Sequence, residues 1–245
     1  MKTNWDYSDR AHTYDMRADY SQSGVNTILS RINIKPNSVI ADIGAGTGKL
    51  TKILAQDGRR VYAVEPNANM RRYGVENTKH LDVQWSEGVG EATTLKDHSV
   101  DASFFGSSFN VVDQNLALNE VKRITNAGGW FVCMWNHRDL NDPIQSEIEK
   151  IILSYIPDYN YGLRRQSPKE VIDNSDLFFD VHSYEDLFSV QMVREDIIDA
   201  WRSHDTLYRQ AADKFDDIIN SISDFLTSPI YPVPYYTRIW YAQLK

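Results

Sequence analysis

The sequence predicts an α/β fold: a doubly wound, mostly parallel seven-stranded sheet with an antiparallel edge strand and a helical lid over the carboxyl edge. Three observations predict it. Apolar strand-like runs alternate with helix-periodic segments over residues 37–136, the pattern of parallel strands joined by crossover helices. The first run, 39–43, feeds a turn with glycines at 44, 46 and 48. Beyond Asn136 helical patterns dominate, and two late β-rich runs separated by a long helical connection suit an antiparallel edge.

The five early strands are read at 39–43, 61–64, 83–85, 100–105 and 130–135, with helices at 49–56, 68–76 and 115–124. In the last helix Ala117, Leu118, Val121 and Ile124 form an apolar stripe at helical spacing, and Asp113 is placed to cap it. Asp142 followed by Pro143 opens another helix, to about residue 155, because proline suits the first helical position. Residues 157–165 have no periodicity, and Ser167 with Glu170 three residues on predicts a capping box. A strand is expected near 181–190, helices at 195–203 and 206–225, a rigid proline loop at 229–234 and a final strand at 235–243. One domain of 245 residues results, with a core at 36–136; residues 1–30 and about 140–230 supply a lid and a second pocket.

The formal net charge of −8 argues against nucleic acid as a partner, since phosphate binding draws on clustered Lys and Arg. Lone Cys133 sits in an apolar run, so it reads as a small buried hydrophobe. No Cys/His cluster has metal-ligand spacing, so no metal is expected. The N-terminus lacks an apolar signal region and no stretch reaches membrane-span length, which predicts a soluble cytoplasmic protein.

The glycine turn carries the chemistry. Asp42 ends the first strand, and Gly44, Ala45 and Gly46 follow it; bare backbone there admits a ligand against a helix N-terminus. A dinucleotide fingerprint needs its third glycine where this chain has Lys49, and no phosphate-loop motif occurs. A carboxylate before the first glycine repels a pyrophosphate but suits a ligand bearing an ammonium and a sulfonium. Glu65 ends the second strand, where a carboxylate accepts both hydroxyls of a ribose. The pair implies a nucleoside cofactor. Pro66 follows that acid at the start of the next helix, and Met70 reaches either the adenine rim or the core. Ser107, Ser108 and Asn110 lie just past the fourth strand, near the reacting group.

Asp42–Gly48 with Glu65 resembles the first motifs of class I S-adenosylmethionine-dependent methyltransferases. Residues 104–112, 128–139 and 234–240 look like one branch, the type 11 methyltransferases, similar to trans-aconitate methyltransferase-like bacterial enzymes. The resemblance implies S-adenosyl-L-methionine as the nucleoside cofactor, a Rossmann-like fold, a small-molecule methyl acceptor, and a monomer or homodimer. It also implies that Gly90, Glu91 and Ala92 form the loop that meets adenine. Tyr14 and Arg17 resemble the N-terminal lid; either they close over the cofactor or they belong to a helix packed on the sheet. Where the branch commonly carries histidine this chain has Asn110, which hydrogen-bonds but exchanges no proton near neutral pH. His137 and His204 are therefore the candidate bases, and Arg138, Tyr159, Tyr161, Arg164, Arg165 and Tyr208 lie on elements expected to frame the acceptor. The expected activity is methylation of an oxygen or nitrogen of a small metabolite, such as a natural-product intermediate. Cyclisation or decarboxylation with the same cofactor, protein methylation, and a non-catalytic nucleoside-binding module are the alternatives.

Overall fold

The computed structural model describes residues 18–161 and 166–245. Tyr14, Arg17, Arg164 and Arg165 lie outside the described residues. Among those described, strands β1 (Val39–Ile43), β2 (Arg60–Val64), β3 (Val83–Ser86), β4 (Val100–Gly106), β5 (Thr125–Arg138), β6 (His182–Val193) and β7 (Ile230–Gln243) form one sheet in the order β3-β2-β1-β4-β5-β7-β6. β3, β2, β1, β4 and β5 pair in parallel, and β7 runs antiparallel to both β5 and β6. The antiparallel strand is thus inserted one place in from the edge, and β6 covers it.

Period-two alternation on the strands decides which helices cover which face. Ile40, Phe104, Val132 and Met134 pack with α1 (Gln22–Arg31) and α2 (Lys49–Leu54). Ala41, Phe105, Phe131, Cys133 and Trp135 pack on the opposite side with α4 (Gln114–Ile124) and α6 (Lys169–Asn174). The Phe105, Phe109 and Phe131 rings meet there at centroid distances of 5.1–5.8 Å, each pair adding about 0.5–1.5 kcal/mol beyond area burial. Against β3 lies α3 (Ala68–Thr78), whose Gly74 leaves no room for a side chain: a Cβ would lie 2.1 Å from the Trp85 ring.

A third apolar cluster builds a cap beyond the carboxyl end of β5 and the amino end of β7. It joins Ile148 and Ile152 of α5 (Pro143–Tyr155), Ile197, Ile198 and Trp201 of α7 (Arg194–Arg202), and Leu207 of α8 (Asp205–Ala211). Ile218, Ile219 and Ile222 of α9 (Phe215–Phe225) complete it against Val233 and Tyr235 of β7. Asp142 and Asp113 cap α5 and α4 as the sequence predicts.

Three local expectations are corrected. The helix expected over 206–225 is two helices, broken at Ala212, whose φ of 50° leaves the helical region. The capping box at Ser167 is absent: Pro168 is the cap residue and makes no side-chain bond. The proline loop at 229–234 is the first part of β7. Pro232 and Pro234 pair with Gln191 and Ser189 of β6. The Pro234 carbonyl accepts from Asp139 N–H on the β5 side. In an antiparallel strand a residue's N and C=O point the same way, so the missing proline donors face the side beyond the end of β5 and the β6 ladder loses none.

Candidate active site

The sheet order reverses direction at β1, between β2 and β4, and ligands of such sheets bind at this switch point. The turn after β1 begins there. Gly44, Gly46 and Gly48 have φ of 70°, 59° and 86°, a region where side chains are strained. Gly44 and Ala45 N–H both donate to the Val64 carbonyl, which ties the turn to the end of β2. A Cβ on Gly44 would lie 2.4 Å from Ser108 Cβ. Ser108 in turn donates to the Ile43 carbonyl at 2.5 Å, so the loop after β4 is pressed against the glycine turn.

Asp42 is fully buried beneath this turn. Its Oδ2 accepts from Thr51 Oγ1 at 2.6 Å, and its Oδ1 has no partner among the described residues. Burial, relieved in part by Thr51 and reinforced by the Glu65 charge, raises the Asp42 pKa to about 7. An ionised carboxylate half-paired in the interior is costly unless a donor or cation meets it. Glu65 differs. Its Oε2 accepts from Gly46 N–H and its Oε1 from Asn67 N–H, both at 2.9 Å. Burial raises its pKa, opposed by those two amides and by Arg71. Glu65 therefore clamps the glycine turn to the start of α3, with lone pairs left over on each oxygen.

One cavity collects Asp42, Gly44, Ala45, Gly46 and Ser107, and is also lined by Tyr20, Asn136, Arg138 and His204. Five of the residues selected from sequence for the cofactor thus come together. Glu65, Pro66, Met70, Gly90, Glu91, Ala92 and Ser108 do not line it. Glu65 stands behind the turn, and Met70 is buried with the core residues. Glu91 accepts from Asp113 N–H at 2.7 Å, fastening its loop to the start of α4, and Ala92 is exposed beside it.

Tyr20 reaches the cavity because the chain before α1 is tethered across β5. Asn136 Nδ2 donates to the Asp19 carbonyl at 2.9 Å, Thr237 Oγ1 donates to Asn136 Oδ1, and Lys49 pairs with Asp19. Tyr20 then donates to Ser107 Oγ at 2.8 Å. The Asn136 tether was not singled out from sequence; its long-range partners leave no local pattern.

A second cavity shares Asn136, Arg138 and His204 with the first and is further lined by His137, Gln145, Tyr161 and Trp201. Both histidines named from sequence are here, and Arg138 stands over the Trp201 ring at 4.2 Å. Two roles are narrowed. His204 caps α8, its Nδ1 accepting from Leu207 N–H at 3.2 Å; the neutral ring therefore carries its proton on Nε2, which makes it a donor. Asn110 accepts from Trp135 Nε1 at 2.8 Å, a bond that positions Trp135.

Residues 41–133 match the family model described as a methyltransferase domain. A ubiquinone/menaquinone biosynthesis C-methyltransferase, UbiE, of Caulobacter vibrioides is 27% identical over 164 residues, covering 60% of this chain. The match spans 65% of that relative's length. A structure assigned to the type II methyltransferases, from Anaeromyxobacter dehalogenans, superposes with a TM-score of 0.63 at 17% identity, covering 94% of this chain and 97% of that one. A second, an S-adenosylmethionine-dependent methyltransferase from Thermotoga maritima, gives 0.54 at 18% identity over 98% of both chains. At those identities the structures show the fold, which is that of the Rossmann-like methyltransferases. Within that class, residues 41–133 form the methyltransferase domain that matches the type 11 family model.

Proposed function

We propose that this protein transfers a methyl group from S-adenosyl-L-methionine to an oxygen or nitrogen of a small metabolite. The observation that carries the reading is Asp42: a buried carboxylate with one oxygen unpaired, lining a cavity walled by bare glycine backbone. The residues fit the cofactor. Asp42 would face its cationic methionine end, Gly44, Ala45 and Gly46 would meet it through backbone, and Glu65 would offer its remaining lone pairs to the ribose. The cofactor supplies an activated methyl on a sulfonium, so the chain need provide no covalent nucleophile.

The chain's own part is alignment and exclusion of water. The tethered segment at Ala18 and Tyr20 lines one side of the first cavity together with Ser107, which Tyr20 holds, and Asn136, Arg138 and His204 join it to the second. His204 would orient an acceptor by donating from Nε2; alignment is enough without an obligatory base, and His137 is the candidate to take a proton only where a hydroxyl acceptor demands one. Met70, Pro66 and the Gly90–Ala92 loop would frame the adenine from outside the described cavity lining, with Tyr14 and Arg17 as a lid. Residues 36–136 serve as the cofactor core, and the cap holds the acceptor.

The relative named above methylates carbon, as its name states; the polar lining of the second cavity favours a heteroatom here. The charge of −8 and single buried cysteine suit a cytoplasmic enzyme, monomeric or homodimeric, that does not act on nucleic acid. No described helix is long and apolar enough to cross a membrane. Incubation with methyl-labelled cofactor and a bacterial metabolite extract tests the proposal. Label should enter a small molecule at oxygen or nitrogen. Label on carbon, on protein or nowhere, with the cofactor turned over, would point to the alternatives.

A further inference from the structure

Two side chains that line the second cavity carry three buried polar atoms without a partner among the described residues. Gln145 is 2% exposed and Trp201 3% exposed. Gln145 Oε1, Gln145 Nε2 and Trp201 Nε1 make no hydrogen bond among the described residues. Buried polar side-chain atoms are nearly always paired, and a whole amide left without a partner is unusual. Both residues line the same cavity, beside the one that holds Asp42. Neither has a local signal in the sequence. Gln145 is in the first turn of α5, where its own N–H is already capped by Asp142, and Trp201 ends a stripe of apolar residues on α7.

We infer that Gln145 and Trp201 are the acceptor-recognition residues, and that the acceptor is a small planar molecule with an amide-like edge, as in a lactam or carboxamide. This rests on the methyl-transfer reading of the adjoining cavity. A glutamine amide presents an acceptor beside a donor, so its complement is a donor beside an acceptor. A carboxylate would set oxygen against Gln145 Oε1 and leave that atom unpaired. The Trp201 indole N–H adds one further donor, which calls for a second acceptor atom on the ligand. The amide edge is itself planar, and Tyr161 and Trp201 line the cavity, with Arg138 over the Trp201 ring at 4.2 Å. A site built to pair a buried polar group discriminates strongly against ligands that lack the complement.

The test titrates 2-pyridone and benzoate, followed by NMR, into wild type, Gln145→Met and Trp201→Phe, each saturated with S-adenosylhomocysteine. The expected result is that 2-pyridone binds wild type and loses about tenfold or more in affinity in either variant. Benzoate should bind wild type at least about tenfold more weakly than 2-pyridone. S-adenosylhomocysteine should bind all three proteins equally. Gln145→Met should melt no lower than wild type, because it removes unpaired atoms. Equal 2-pyridone binding in wild type and Gln145→Met, absence of 2-pyridone binding in a wild type that holds S-adenosylhomocysteine, or a melting point lowered by several degrees would overturn the inference and leave methyl transfer standing. Failure of S-adenosylhomocysteine to bind at all would remove the methyl-transfer reading itself.

Discussion

The two adjoining cavities are built by opposite means. The first is centred on a backbone turn, with the positive-φ glycines Gly44 and Gly46 in its lining and Asp42 as its one fully buried charge. The second is mostly side chain: His137 and Arg138 from β5, Gln145 from α5, Trp201 from α7 and His204 from the cap of α8. A backbone site is rigid because hydrogen bonds such as Gly44 and Ala45 to Val64 fix it. A side-chain site can change its ligand by substitution without disturbing the fold.

The largest effect that would break this comparison is expected at Gly44. Gly44→Ala combines a positive φ with a Cβ 2.4 Å from Ser108, costing about 1–3 kcal/mol of stability and shifting the turn. Calorimetry should find cofactor affinity lowered by roughly 100-fold or more, with the second cavity's ligands unaffected in a protein that still folds. An unchanged affinity would show that the turn does not touch the cofactor.

Glu65→Ala should follow. The clamp between Gly46 and Asn67 is lost with the ribose contact, so affinity should fall by about 10- to 1000-fold. Urea unfolding should detect a loss of about 1–3 kcal/mol, because two backbone donors lose their acceptor. Affinity loss with stability intact would place Glu65 wholly at the ligand; the reverse would make it a structural clamp.

Asp42 gives a smaller effect with a definite sign. Its folded pKa of about 7 lies above the ordinary 3.8. Its burial therefore costs stability progressively as pH rises between those values and by a constant amount above them. Asp42→Asn should match wild type near pH 4 and be more stable at pH 8, by up to about 4 kcal/mol. A cationic cofactor selects the ionised form, so wild-type affinity should rise about tenfold from pH 6 to pH 8 and level off beyond it. Asp42→Asn should bind weakly and without that dependence. A pH-independent wild type would contradict the role given to Asp42.

The glycine turn and the acids around it were legible in sequence because their determinants are local. The strand at 39–43 and its glycines lie within ten residues of one another, and the strand-end acid Glu65 is brought alongside by one crossover. What remained illegible depends on chain segments far apart. Asn136 holds Asp19 and Thr237 across more than a hundred residues, and the cap brings Gln145 beside Trp201. The prolines of β7 misled for a related reason: residue type alone does not tell which side of a strand lacks a partner. His204 was named for its position, but its Nδ1 is taken by the helix it caps, a detail that only geometry supplies.

The smallest effects are expected at the histidines. His204→Ala should lose about 1 kcal/mol of stability with its helix cap. His137→Ala and His204→Ala should each retain more than about a tenth of the wild-type rate, a loss below the range of a general base. A drop of about 10²–10⁴ in kcat at either position, with cofactor binding intact, would identify a base.

The central claim is that the backbone cavity over Asp42 holds S-adenosylmethionine. Its most direct test is calorimetric titration of the wild-type protein with S-adenosylmethionine, S-adenosylhomocysteine and NAD at pH 8. The account predicts one site per chain, micromolar binding of both sulfur nucleosides, and NAD far weaker. NAD binding of comparable strength, or no binding of either sulfur nucleoside, would contradict it.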